Sequence, residues 1–98
     1  MNPQFEDVKT KITAERAVLA DRYLLSKIGV FGSMAKGHAT ETSDVDILVE
    51  FKKPVDLFFF LDVKFYLENL LKKTVDLVTP GALKPLTRDE ILSSVVYL

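Results

Sequence analysis

Apolar positions recur along this chain with two different periods. Phe5, Val8, Ile12, Leu19 and Tyr23 keep helical spacing, with Glu15 and Arg16 interrupting the stripe. Asn2-Pro3 reads as the start, Asn2 as N-cap and Pro3 at the first helical position. The pattern predicts one helix from residue 3 to about residue 25. Lys27 to Phe31 reads as a short strand that Gly32 ends, followed by a helical turn over Ser33 to Lys36 and a polar connection over Gly37 to Thr42. The clearest alternation runs from Asp44 to Phe51. There Val45, Ile47 and Val49 share one face, and Asp44, Asp46, Leu48 and Glu50 share the other.

After a break at Lys52-Lys53-Pro54, residues 55 to 73 read as a second long helix, whose closing Lys72-Lys73 suit its C-terminal dipole. Phe59, Phe60, Val63, Tyr66, Leu67, Leu70 and Leu71 lie on one side of it, ample for packing on a sheet. Phe58, Leu61 and Phe65 lie on another side. They either pack against the first or last helix or form an exposed patch that marks an interface. Thr74 to Val78 is a third strand, Thr79-Pro80-Gly81 a break, and Thr87-Arg88-Asp89-Glu90 has the form of a capping box opening a final short helix. The predicted order is αβ(α)βαβα. The fold class is α+β (α/β-like): a small mixed sheet of three to four strands packed with helices.

Composition narrows the function classes. A chain of 98 residues, 48% hydrophobic, is read as one domain with enough apolar material for a core. Its net charge of -1 argues against a general nucleic-acid binder. With no cysteine there is neither a disulfide framework nor a thiolate metal site. No apolar run reaches membrane-spanning length and the start lacks signal-peptide features, so a cytoplasmic protein is expected.

The chemistry lies in a spacing: Gly32-Ser33, ten residues, then Asp44-Val45-Asp46. Residues i and i+2 on a strand point the same way, roughly 6–7 Å apart at Cα. Carboxylates converging to about 5 Å at an effective dielectric near 20 repel by roughly 3 kcal/mol. Water or a cation must relieve that repulsion, and magnesium takes such oxygen ligands together with substrate phosphates. Gly32 allows a tight turn and close ligand approach, while Ser33 offers a hydroxyl and an amide at a helix start. By residue frequency, the joint pattern arises by chance in about one chain per thousand of this length. Asp76, between Val75 and Leu77, adds a third acid if the third strand neighbours the second. Three carboxylates could hold two metals about 3.5–4 Å apart. His38, the only histidine, sits in the polar connection and reads as a surface turn residue.

Val30-Phe31-Gly32-Ser33-Met34-Ala35-Lys36-Gly37, followed by Ser43-Asp44-Val45-Asp46-Ile47-Leu48-Val49, resembles the nucleotidyltransferase superfamily that includes DNA polymerase beta. The likeness extends through Val75-Asp76-Leu77-Val78 to Tyr97-Leu98, and the chain's brevity is similar to the minimal branch, the MntA-like antitoxins. The resemblance implies that Gly32 and Ser33 bind the triphosphate of ATP and that Asp44 and Asp46 hold two magnesium ions. Asp76 would ligate the catalytic metal and help activate the acceptor oxygen. Met34 stands where family members often carry Arg, and Lys36 where Arg is also common. Lys36 would supply positive charge near phosphate, with less defined geometry than Arg.

The chain has little room to grip a large acceptor, so a partner is expected to bring it. The branch resemblance implies a HEPN-family ribonuclease toxin, silenced by AMP transfer to a tyrosine, in a type VII toxin–antitoxin pair. Two other readings stand beside this one: an antitoxin that masks its toxin by contact, and a small-molecule nucleotidyltransferase of the aminoglycoside type. A homo-oligomer is left open.

Overall fold

The computed structural model describes residues 3–40 and 42–98. The expected N-cap Asn2 therefore lies outside the described residues. The predicted first helix is two: α1 (Pro3–Ala14) and α2 (Arg16–Asp21). The break falls at Glu15, where the stripe is interrupted and the backbone leaves helical geometry (φ -103°, ψ 14°). Glu15 accepts a hydrogen bond from the Tyr66 hydroxyl at 3.0 Å, which pins the kink to the long helix. Tyr66→Phe is expected to lower stability by about 1 kcal/mol in urea unfolding with an unchanged slope.

Strand β1 (Leu25–Phe31) starts two residues earlier than its alternation suggests, with a bulge between Leu25 and Lys27. A short helix α3 (Gly32–Ala35) leads into the loop before β2 (Val45–Phe51). Helix α4 (Leu57–Leu71) starts at Asp56, whose Oδ1 accepts the Phe59 N–H at 2.8 Å. Strand β3 (Val75–Val78) follows, then a 3-10 turn at Pro80–Ala82 and helix α5 (Pro85–Ser94). The capping box at Thr87–Glu90 is not used. Pro85, with its pre-set φ, opens α5 after an extended Lys84, three residues ahead of the start that a Thr87 cap would give, so Thr87 is already helical. A two-residue strand β4 (Val96–Tyr97), too short for periodicity to reveal, closes the sheet.

The sheet order is β3-β2-β1-β4, with β2 and β3 parallel and the other pairs antiparallel. This is the mixed four-stranded sheet expected for an α+β chain. One face packs Ile28, Val30, Val45, Ile47, Val49, Val75 and Leu77 against Val8, Ile12, Leu19, Val63, Leu67 and Leu71 of the helices. Edge strand β3 is guarded: the Val75 N–H, turned away from β2, donates to Glu68 Oε2 at 3.0 Å.

β3 and β4 lie on opposite edges, so the segment joining them must cross a face of the sheet. It crosses the face carrying Asp46. A Cβ on Gly29, which pairs with Leu48, would come within 2.6 Å of Val95 Cγ2 at the end of α5. That cover explains why Leu48, on the acidic face, is fully buried. On the second apolar side of α4 Leu61 is half-buried, while Phe58 is 79% and Phe65 54% exposed, so the two aromatic residues form the exposed patch. Among the described residues no helix is long and apolar enough to cross a membrane.

Candidate active site

Strand register assembles the acids. Asp46 pairs with Asp76 across the parallel β2–β3 ladder and with Phe31 across β1. Residues paired in this way project on the same face, so two carboxyls 30 residues apart in sequence become neighbours. Asp44 sits just before β2 and is exposed. The Val45 N–H donates to Thr74 O at 2.9 Å, tying the strand entrances together.

Burial, and then the charges of Asp76 and Asp44, raise the Asp46 pKa above 3.8; a hydrogen bond between the Asp46 and Asp76 carboxyls acts in the same direction. Asp44 contributes through its charge. Among the described residues no group of three His, Cys, Asp or Glu forms a ready-made metal cage. What converges is the Asp46–Asp76 pair, with Asp44 alongside. This donor set fits magnesium, which uses one or two carboxylates and completes its shell with substrate phosphate and water.

The phosphate side of the site abuts this pair. Gly32 has φ +69°, a left-handed conformation that L side chains rarely adopt, and a Cβ there would collide with the Asp46 carboxylate. Phe31, the residue before α3, is extended and provides no side-chain cap. The first N–H groups of α3, including that of Ser33, therefore lack intrahelical acceptors beside the acids. Such groups can bind phosphate oxygens. Lys36 is exposed at the C-terminal end of α3, and its backbone N–H is taken by Gly32 O at 3.1 Å. Met34 is fully buried in the core. At this position, where family members often carry Arg, the chain has a packing residue.

A small hydroxyl cluster, not singled out from the sequence, lies just before Asp44 in the chain. Ser43 Oγ accepts the Thr40 N–H at 2.8 Å, and Thr40 Oγ1 lies 3.2 Å from both Thr42 Oγ1 and Ser43 Oγ. The signal was the run of short hydroxyl residues, which favour local side-chain-to-backbone turns. His38 is exposed, as expected of a turn residue.

Residues 13–98 match the family model described as nucleotidyltransferase domain. The chain belongs to the nucleotidyltransferase family. Similar to it is the protein adenylyltransferase MntA of Thermococcus cleftensis, 42% identical over 93 residues that cover 95% of this chain and 94% of the relative. A solved structure assigned as a minimal nucleotidyltransferase superposes with a TM-score of 0.84 at 34% identity, covering 100% of this chain and 97% of that one. A toxin–antitoxin structure with AMP-PNP shares the fold, with a TM-score of 0.73 at 23% identity, over 91% of this chain and 70% of that one. The chain is thus a nucleotidyltransferase of the minimal, MntA-like kind, and the neighbouring acids are read in that light.

A pH signature follows for this nucleotidyltransferase. With its pKa raised, folded Asp46 keeps its proton to a higher pH than in the unfolded chain. The native state therefore binds more protons in that interval. The contribution is present below 3.8 and is lost as pH rises through the folded pKa. Thermal melts of wild type minus Asp46→Asn should show wild type losing stability relative to the variant as pH rises above 3.8. Added magnesium should restore it, more so at higher pH, because the metal requires the ionised carboxylate. A difference that does not change with pH would contradict the assignment.

Proposed function

We propose that this chain, acting as one cytoplasmic domain, transfers AMP from ATP to a tyrosine of a HEPN-family ribonuclease toxin. It would thereby serve as the antitoxin of a type VII pair. The observation that carries the reading is the in-register Asp46–Asp76 pair pressed against Gly32 at the start of α3. The 42% identity to a protein adenylyltransferase supports a protein acceptor.

In this reading the uncapped N–H groups of Gly32 and Ser33 hold phosphate oxygens of ATP, and Lys36 adds positive charge nearby. Asp44, Asp46 and Asp76 would hold two magnesium ions, which supply charge stabilisation to the phosphoryl oxygens. Asp76 accepts the proton of the acceptor hydroxyl. The tyrosine oxygen bonds to the α-phosphorus, the bond to the β-phosphate oxygen breaks in line, and pyrophosphate leaves. The protein's share is positioning and electrostatics, for which a fixed pair of strands is well suited.

The exposed apolar side of α4 supports a second reading, masking of the toxin by contact. Incubation with α-labelled ATP, magnesium and the toxin separates the two. Label on the toxin that is absent with Asp44→Asn supports transfer. A tightly bound but unlabelled toxin supports masking, and label on an aminoglycoside without any protein supports small-molecule transfer.

A further inference from the structure

A cavity of about 1020 Å³ lies beyond the carboxyl ends of β2 and β3, between the β2–α4 loop and the segment that leads into α5. It does not contain the acids. It begins at Val78, two residues along β3 from Asp76 and on the same face, about 7 Å away. Its walls include Phe60, Leu77 and Leu83, and its rim carries Lys52, Lys53 and Arg88.

The charges on this rim are unevenly engaged. Glu50 is ion-paired with Lys27 at 3.8 Å, and Asp56 caps α4 through the Phe59 N–H. Among the described residues the side chains of Lys52, Lys53 and Arg88 form no ion pair, and all three residues are exposed. The cavity therefore offers apolar walls and three cations with no ion pair among the described residues, in a chain whose net charge is -1. Leu57 on its margin is 66% exposed and is followed by the exposed Phe58, so the apolar lining continues onto the surface of α4.

We propose that this cavity seats the acceptor protein, by an apolar segment flanked by acidic residues, and so delivers its hydroxyl to Asp76. The inference rests on transfer to a protein, as proposed above. An extended stretch of three or four residues spans roughly 10–14 Å, enough to join an anchor in the cavity to a reacting side chain at Asp76. The rim cations match acidic flanks and set the approach, while the apolar walls take the anchor. The aliphatic side of the lining, at Leu83 and the exposed Leu57 on its margin, favours an apolar peptide anchor over the phosphates of RNA.

The test is charge reversal away from the acids, in the double variant Lys53→Glu/Arg88→Glu of the full chain. The toxin KM in the labelling assay should rise about tenfold or more, while the KM for ATP stays within about twofold. Wild type should also bind a tyrosine peptide with acidic flanks at least about tenfold more tightly than one with basic flanks, and the double variant should lose that preference. An unchanged toxin KM in a system where wild type labels the toxin overturns the docking assignment alone. A raised ATP KM with an unchanged toxin KM makes the cavity part of the nucleotide site and also overturns it. Loss of binding to an RNA oligonucleotide instead of the acidic peptide assigns the rim to nucleic acid and overturns it as well. If wild type labels no protein, the transfer reading falls and the docking assignment falls with it. Circular dichroism of the double variant shows whether the fold is intact, and Lys53→Gln/Arg88→Gln repeats the test with neutral side chains.

Discussion

Asp46→Asn is expected to lower the rate of label transfer by about a thousandfold or more while making the metal-free protein more stable, not less. The two effects share one cause. Asp46 is half-buried beside Asp76 and close to Asp44, and its raised pKa records what desolvation and those neighbours cost its charged form. Asparagine keeps the shape, removes the charge and can still hydrogen-bond to Asp76. Solvent screening of this partly exposed carboxylate keeps the gain modest, and it should show as a higher Tm for the variant than for wild type at neutral pH. The same carboxylate is the central candidate for neutralising phosphate through a bound cation. In the proposed reaction its loss removes a charge needed most in the transition state, so the rate should fall while the fold gains. Calorimetry and a single-turnover labelling assay on the same preparation check both halves. A variant that loses stability together with activity would show that the acid is mainly structural.

Gly32→Ala is expected to be damaging in both respects. The residue stands at φ +69°, where a Cβ is strained, and that Cβ would run into the Asp46 carboxylate. Each problem alone costs about 1–2 kcal/mol. Because the obstacle is the carboxyl of a short side chain, relief requires either that carboxyl to rotate away from its place beside Asp76 or the start of α3 to move. Stability should fall by about 2–3 kcal/mol, and transfer by at least about a hundredfold even where the protein is fully folded. A double-mutant cycle with Asp46→Ala, which removes the colliding atoms, should recover part of the stability and none of the activity. Additive stability losses would mean that the glycine is needed only for its backbone angle.

The acids were legible in the sequence because alternation is a strict code. Once Asp44 to Phe51 reads as a strand, Asp46 and Leu48 must share a face, and a third strand brings Asp76 within reach if it is adjacent. The parallel β2–β3 register meets that condition, with Asp46 opposite Asp76. The two faces of α4 could be read from its periodicity, and Val63, Leu67 and Leu71 are buried as expected. What covers a face was much less legible. Leu48 is buried because α5 crosses the acidic face, and that crossing is dictated by β4, two residues long. No window of hydropathy reveals an element so short. Met34 shows another limit, since a residue inside a motif can belong to the core. The capping-box pattern at Thr87–Glu90 failed because Pro85 starts the helix earlier, and local signals compete. The kink at Glu15 was visible as polar residues within an apolar stripe, but the stripe resumed and a single helix was the simpler reading.

In the proposed reaction the paired acids beside Gly32 serve the movement of AMP from ATP to a toxin. Intact-mass measurement of the toxin after incubation with wild type, ATP and magnesium tests it most directly. The toxin should gain the mass of one or more AMP groups, on a tyrosine, with pyrophosphate released in equal number and no gain with Asp46→Asn. A toxin of unchanged mass, inhibited equally well by wild type and Asp46→Asn, would contradict it.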